Sequence, residues 1–141
     1  MTLVVDASII IKWLLNDPGR EEETAKATRM MRRIAEGRVN VVQPVHWLAE
    51  VGAVLARSSP DTAEDDVLML QGMELPVDDS PGVFGRACRL AIDLRQHLFD
   101  TLYHAVALEL PDAVLLTADD RYLRAGRSLG RVLALSEWGE D

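Results

Sequence analysis

Apolar residues along this chain follow two rhythms, short unbroken runs and longer stretches of helical period, and the two alternate. Thr2-Leu3-Val4-Val5 reads as a strand buried on both faces that must stop at Asp6, and Ser8 reads as the N-cap of a helix through Ile10, Ile11, Trp13 and Leu14. Asn16-Asp17-Pro18-Gly19 predicts a turn. Glu21 to Glu36 predicts a helix with acids first and Arg29, Arg32 and Arg33 late, the order its dipole favours, and Gly37 stops it. A second strand is expected over Asn40-Val41-Val42-Gln43, ending at Pro44. Helices follow over Val45 to Arg57 and from Asp61 to about Met73.

Glu74-Leu75-Pro76-Val77 predicts a weak third strand, confined by Pro76 to a sheet edge. After a turn at Asp78 to Gly82, Val83 to Gln96 has helical period. Leu98-Phe99 interrupts, and Asp100 begins a helix to Leu110 that is apolar on almost every side and therefore central. Ala113 to Thr117 predicts a fourth, buried strand, Asp119 and Asp120 open a short helix to Gly126, and Val132 to Leu135 predicts the last strand. Strands that alternate with helices, with no hairpin turn between them, predict a three-layer α/β/α domain around a central parallel sheet, a single domain over residues 1–141.

Composition narrows the function classes. A net charge of -8 argues against a protein that coats nucleic acid by bulk electrostatics, but not against a nuclease whose clustered acids hold cations. The single Cys88 cannot form an internal disulfide, and its apolar neighbours predict a buried thiol in a reducing compartment. Asp6 and Lys12 break the first apolar run, so no signal peptide or membrane span is expected and a cytoplasmic location is.

Four acids carry the candidate chemistry. Asp6, Asp100 and Asp119 each stand where a helix begins, and any one of them alone is explained as a cap for backbone N–H groups. Glu50 lies inside a helix at the border of an apolar arc formed by Trp47, Val51 and Val54, with no Lys or Arg one turn away. It is either a surface-edge residue or a ligand. Asp6 and Asp119 both follow apolar strands, so a parallel sheet puts both at one edge, where ligands of such sheets bind. An oxygen-only set of this kind suits Mg²⁺ or Mn²⁺. Asp120 adjoins Asp119 and either could turn inward, although the Thr-x-Asp pattern favours Asp119. His104, one turn after Asp100, is either a water- or phosphate-orienting group or a satisfied buried histidine. Arg121 and Arg124 open a late basic group that reaches Arg131, a candidate phosphate-binding surface. No spacing among His46, His97 and Cys88 suits zinc.

Several rival classes fail on inventory. A phosphoacceptor receiver needs a Lys after its last strand, whereas the only lysines are Lys12 and Lys26. A dehalogenase-type phosphatase needs a second Asp where Ser8 stands, and no glycine-rich loop supports a dinucleotide site.

The order Val5-Asp6-Ala7-Ser8, Pro44 with Glu50 in Trp47-Leu48-Ala49-Glu50-Val51, Phe99-Asp100-Thr101-Leu102-Tyr103 and Thr117-Ala118-Asp119 resembles the PIN domain, most closely the VapC-type toxins of prokaryotic toxin-antitoxin pairs. That resemblance covers nearly the whole chain. It implies that Asp6, Glu50, Asp100 and Asp119 correspond to metal-binding acids steadied by Ser8 and Thr117. It further implies Mg²⁺- or Mn²⁺-dependent endoribonuclease activity on RNA, a cognate VapB-type antitoxin and a homodimer. An antitoxin Arg could enter the acidic pocket, with Trp13, Leu14, Met30 and Met31 offering an apolar groove for its helix or simply serving as core. The alternative is a non-catalytic PIN-like module that binds RNA or protein.

Overall fold

A computed structural model describes residues 1–15 and 21–139. Strand β1 (Thr2–Val5) is central, because Leu3, Val4 and Val5 have no polar face to present to water and all three are at most 1% exposed. It pairs in parallel with β2 (Asn40–Val41) on one side and with β5 (Ala113–Thr117) on the other, and β5 pairs in parallel with β6 (Val132–Ala134). The order β2-β1-β5-β6 sends the chain outward from β1 in opposite directions. A crevice therefore opens between the C-terminal ends of β1 and β5, the position at which doubly wound sheets bind ligands. Asp6 and Asp119 lie just beyond those two ends.

The remaining strands depart from the expected single sheet. Asn40 to Gln43 is not one strand: the pairing with β1 stops at Val41, and β3 (Gln43–Pro44) instead pairs in parallel with β4 (Val77–Asp78) in a separate two-stranded sheet. Gln43 explains the break. Its buried amide donates to the Val5 carbonyl at 2.9 Å and accepts from the Val5 N–H at 2.8 Å, so a side chain takes the place of a ladder partner. Its own N–H turns to the Pro76 carbonyl. The third strand accordingly falls on Val77–Asp78, after Pro76 and not through it.

Helices α1 (Ala7–Leu15), α2 (Glu21–Ala35), α3 (Trp47–Ser58), α4 (Ala63–Gly72), α5 (Pro81–Leu94), α6 (Leu98–Glu109) and α7 (Asp120–Gly126) complete the α/β/α architecture. Gly37, at φ +71°, ends α2 in a left-handed turn in which Arg38 N–H donates to the Arg33 carbonyl. Helix α6 is the central one: every residue from Thr101 to Ala107 is buried, and it packs against β1, β5 and α5. Thr101 fastens it by donating to the Ala87 carbonyl of α5. Leu98 and Phe99 do not interrupt this helix but begin it, because the His97 ring caps it by accepting from the Phe99 N–H. Among the described residues no helix is long and apolar enough to cross a membrane.

Other expectations change. Ser8 is not the cap of α1; the helix already begins at Ala7, and Asp6 is the residue that accepts from the Ser8 N–H. Cys88 is exposed, because α5 buries Val83, Ala87 and Leu90, and position 88 is turned by about 100° from Ala87. Met30 and Met31 belong to the core at 0% and 2% exposure, so they offer no groove, while Trp13 and Leu14 are half-buried against that core. The turn expected at Asn16 to Gly19 lies outside the described residues.

Candidate active site

Asp6, Glu50, Asp100 and Asp119 line one cleft of about 500 Å³, together with Ser8, His46, Phe99 and Arg57. They arrive from four elements. Asp6 leaves β1, Asp119 follows β5, Glu50 sits in the first turn of α3 and Asp100 in the first turn of α6.

The Asp6 carboxylate is gripped through a single oxygen. Oδ2 accepts from Ser8 Oγ at 2.5 Å, from the Ser8 N–H at 3.2 Å and from Thr117 Oγ1 at 3.3 Å. Behind it, the Ala118 and Asp119 N–H groups donate to the Ser8 and Thr117 hydroxyls, so the loop after β5 is tied to the same oxygen. Ser8 and Thr117 therefore steady Asp6 and join β1 to β5. Asp119 divides its work in the same way: Oδ1 accepts the Arg121 and Tyr122 N–H groups and caps α7. The cap and the ligand are not rival readings of this residue, because a carboxylate has two oxygens and the cap uses one. Asp120 is exposed and does not line the cleft.

Glu50 Oε1 accepts from Tyr103 Oη at 2.9 Å. Tyr103 is fully buried, and its burial, with Glu50, Asp6 and Asp100 close by, holds the phenol protonated, so it is the donor in this bond. Glu50 Oε2 lies 4.0 Å from His46 Nε2, but that nitrogen donates to the Phe99 carbonyl at 2.8 Å. Burial lowers the His46 pKa, so the contact is not an ion pair at neutral pH. His46 instead laces the start of α3 to the start of α6, and Tyr103 of α6 holds Glu50 of α3.

Asp6, Glu50 and Asp100 resist ionisation. Burial raises Asp6 to about 6 despite the Ser8 bonds, with Asp100 and Asp119 adding to the rise. Glu50 rises to about 7, from burial first and then from Asp6 and Asp100. Asp100 is also raised by burial and by Asp119, against the opposing charges of His97 and Arg121. Uncompensated acids in a cleft are the donor set that a hard divalent cation satisfies. Among the described residues no three His, Cys, Asp or Glu side chains already converge on one ion position. Mg²⁺ suits such spacing because it keeps several waters and takes only one or two direct carboxylates.

His104 has no part in the cleft. It is fully buried, with Nε2 donating to the Gly130 carbonyl at 2.8 Å and Nδ1 at 2.9 Å from Tyr122 Oη. The basic group is divided. Arg127 forks onto Glu137, and Arg131 donates to the Ala107 and Leu110 carbonyls at the end of α6. Arg121 and Arg124 are exposed on α7 and do not line the cleft, although the Arg121 charge is felt at Asp100. From sequence, His46, Tyr103, Phe99 and Arg57 carry no assigned role in the site. Arg57 was legible in principle, since it stands seven residues, or two helical turns, after Glu50 on the same face.

A family model of the PIN domain matches residues 3–128. No curated protein sequence matches the chain. Among solved structures, one described as a toxin-antitoxin complex from Klebsiella pneumoniae superposes with a TM-score of 0.66 at 16% identity, over 94% of this chain and 97% of the other. VapBC-1 from nontypeable Haemophilus influenzae gives 0.64 at 16% identity, over 97% and 100%. A Pyrobaculum aerophilum protein gives 0.61 at 17% identity, over 96% and 90%. At these identities the three structures share the fold.

Proposed function

Because this chain belongs to the PIN-domain family, we propose that it is a VapC-type toxin, an endoribonuclease that depends on a divalent metal and is restrained by a cognate antitoxin. The observation that carries this reading is the cleft itself: four carboxylates from four elements, three of them resisting ionisation, with no Lys or Arg in salt-bridge contact with any of them among the described residues. Mg²⁺ or Mn²⁺ held by Asp6, Glu50, Asp100 and Asp119 would supply the positive charge that neutralises a phosphodiester and acidifies an attacking water.

The chain's own residues do the rest. Ser8 and Thr117 hold Asp6 by Oδ2 and leave Oδ1 for the cleft, and the α7 cap likewise leaves Oδ2 of Asp119. Tyr103 holds Glu50 by Oε1, so Oε2 remains to accept from a water. One of the similar structures is described as a toxin-antitoxin complex and another as VapBC-1, which supports a protein antitoxin as the restraining partner. A basic side chain from that partner among the four acids would occupy the place of the cation. We also assign the chain a homodimeric state and a cytoplasmic location.

Purified protein should cut RNA with Mg²⁺ or Mn²⁺ and stop with EDTA, and Asp6→Asn or Asp100→Asn should lower the rate by on the order of a hundredfold or more. Metal-dependent turnover retained in both variants would overturn the reading.

A further inference from the structure

Beside the acids the cleft changes character. Phe99, in the first turn of α6, is 48% exposed at the cleft wall. It stands between two histidine rings, with centroids 5.1 Å from His46 and 4.8 Å from His97. Its backbone is held from both sides, the carbonyl by His46 Nε2 and the N–H by His97 Nδ1. The ring is thus a fixed aromatic ledge. From Glu50 the floor runs along α3 past Ala53 and Val54 to Arg57, about 10 Å further on. Ala53 is small and exposed, so the floor is open and apolar, and Arg57 has no carboxylate partner among the described residues.

Acids that need a cation at one end, an aromatic face beside them and an unpaired guanidinium at the other end match one unpaired nucleotide and its neighbouring phosphate. An apolar peptide helix would leave Arg57 without a counter-charge. We propose that Phe99 is a stacking platform for an unpaired RNA base next to the cleavage position and that Arg57 receives a backbone phosphate. This rests on the nuclease reading for the chemistry, but not for the binding. A base within a duplex is stacked on its neighbours and cannot lie on Phe99 without being unstacked, so paired RNA is disfavoured. Arg57 is a phosphate contact and reads no sequence.

The test uses the Asp100→Asn chain with Mg²⁺, to suppress cleavage, and a short oligoribonucleotide carrying 2-aminopurine, either single-stranded or annealed to its complement. Phe99→Leu should weaken single-strand binding by about tenfold, leave the weaker duplex binding unchanged and abolish quenching of the probe, whereas Phe99→Trp should retain both affinity and quenching. Arg57→Gln should weaken binding and reduce the slope of log K against log salt by about 0.7. Circular dichroism of each variant checks that the fold is intact. Single-strand affinity unchanged by Phe99→Leu and Arg57→Gln, or lowered equally for duplex, overturns the proposal, as does a loss confined to binding of a protein partner. If the unmodified chain cuts no RNA while the Phe99 and Arg57 effects on binding hold, the nuclease reading fails and the platform stands. If it cuts RNA and Phe99→Leu changes neither binding nor single-strand preference, the reverse follows.

Discussion

The two sides of the acidic cleft are built differently. On the sheet side, Asp6 and Asp119 are held by hydroxyls and backbone N–H groups, and Ser8 and Thr117 join the two strand ends into one hydrogen-bonded block. On the helix side, Glu50 has one phenol, and Asp100 accepts no hydrogen bond from the described residues. The sheet side is positioned before any ligand arrives, whereas the helix side has oxygens whose partners must come from a cation, water or substrate. A site made this way combines a fixed origin with an adjustable rim, which is how preorganisation is reconciled with admission of a bulky polymer.

The largest effect expected from this contrast is on ion binding. Millimolar Mn²⁺ should raise the melting temperature of the metal-free chain by several degrees, since an ion that binds only the folded state at about a hundred times its Kd contributes about 2.7 kcal/mol. Asp6→Asn and Asp100→Asn should both lose that shift. A thermal scan in which the Asp100 variant still responds fully would move the ion to the sheet side alone.

A smaller effect concerns pH. The folded pKa of Asp6 is about 6 against an ordinary 3.8, so between those values the folded state binds more protons than the unfolded state. Stability of the metal-free protein must then fall as pH rises from about 4 through 6, and Glu50, at about 7, extends the fall upward. Asp6→Asn keeps an acceptor for Ser8 and Thr117 and removes the charge. It should match the parent chain near pH 4 and exceed it at pH 8 by on the order of 2 kcal/mol in urea unfolding without metal. Equal stabilities at both ends of the range would show that Asp6 ionises freely and that the cleft is wetter than its burial implies.

The smallest change separates the two sides by their hydrogen bonds. Thr117→Val deletes a hydroxyl from the sheet block and should cost about 1 to 2 kcal/mol, because the Asp119 N–H loses its acceptor and the Asp6 carboxylate loses a donor. Tyr103→Phe removes only the bond to the adjustable Glu50, so it should cost less stability and chiefly slow cleavage. If Tyr103→Phe proved the more destabilising, Glu50 would belong with the fixed block.

Much of this was readable from residue order, and the misreadings share a cause. Strands β1 and β5 and helix α6 were legible because long apolar runs have only one way to be buried, and Asp6, Asp119 and Asp100 stood at their ends. Gln43 was not legible. A glutamine that substitutes for a strand edge looks like any polar residue until Val5 is known to lie against it. His97 was missed as a cap because an imidazole rarely fills that place, and Cys88 was placed inside because a few apolar neighbours do not say which side of α5 faces the core. The Arg group after Asp119 looked uniform, yet two of its members are consumed by Glu137 and by the end of α6, while Arg57, distant in sequence, reaches the cleft.

What the sequence determined alone were properties set within a few residues: alternating strand and helix periods, the glycine that ends α2, and acids at element ends where a carboxylate can cap or bind. Tertiary structure decided everything that depends on which surfaces meet. It put β5 next to β1, so that Thr117 and Ser8 share an oxygen of Asp6, and it brought the start of α6 to the start of α3, so that Tyr103 holds Glu50 and His46 holds the Phe99 carbonyl. The reason is physical: local preferences arise from backbone sterics and short-range hydrogen bonds. The raised pKa values, the free oxygens and the aromatic ledge arise from desolvation and from neighbours as many as 111 positions apart, and these exist only once the core has closed.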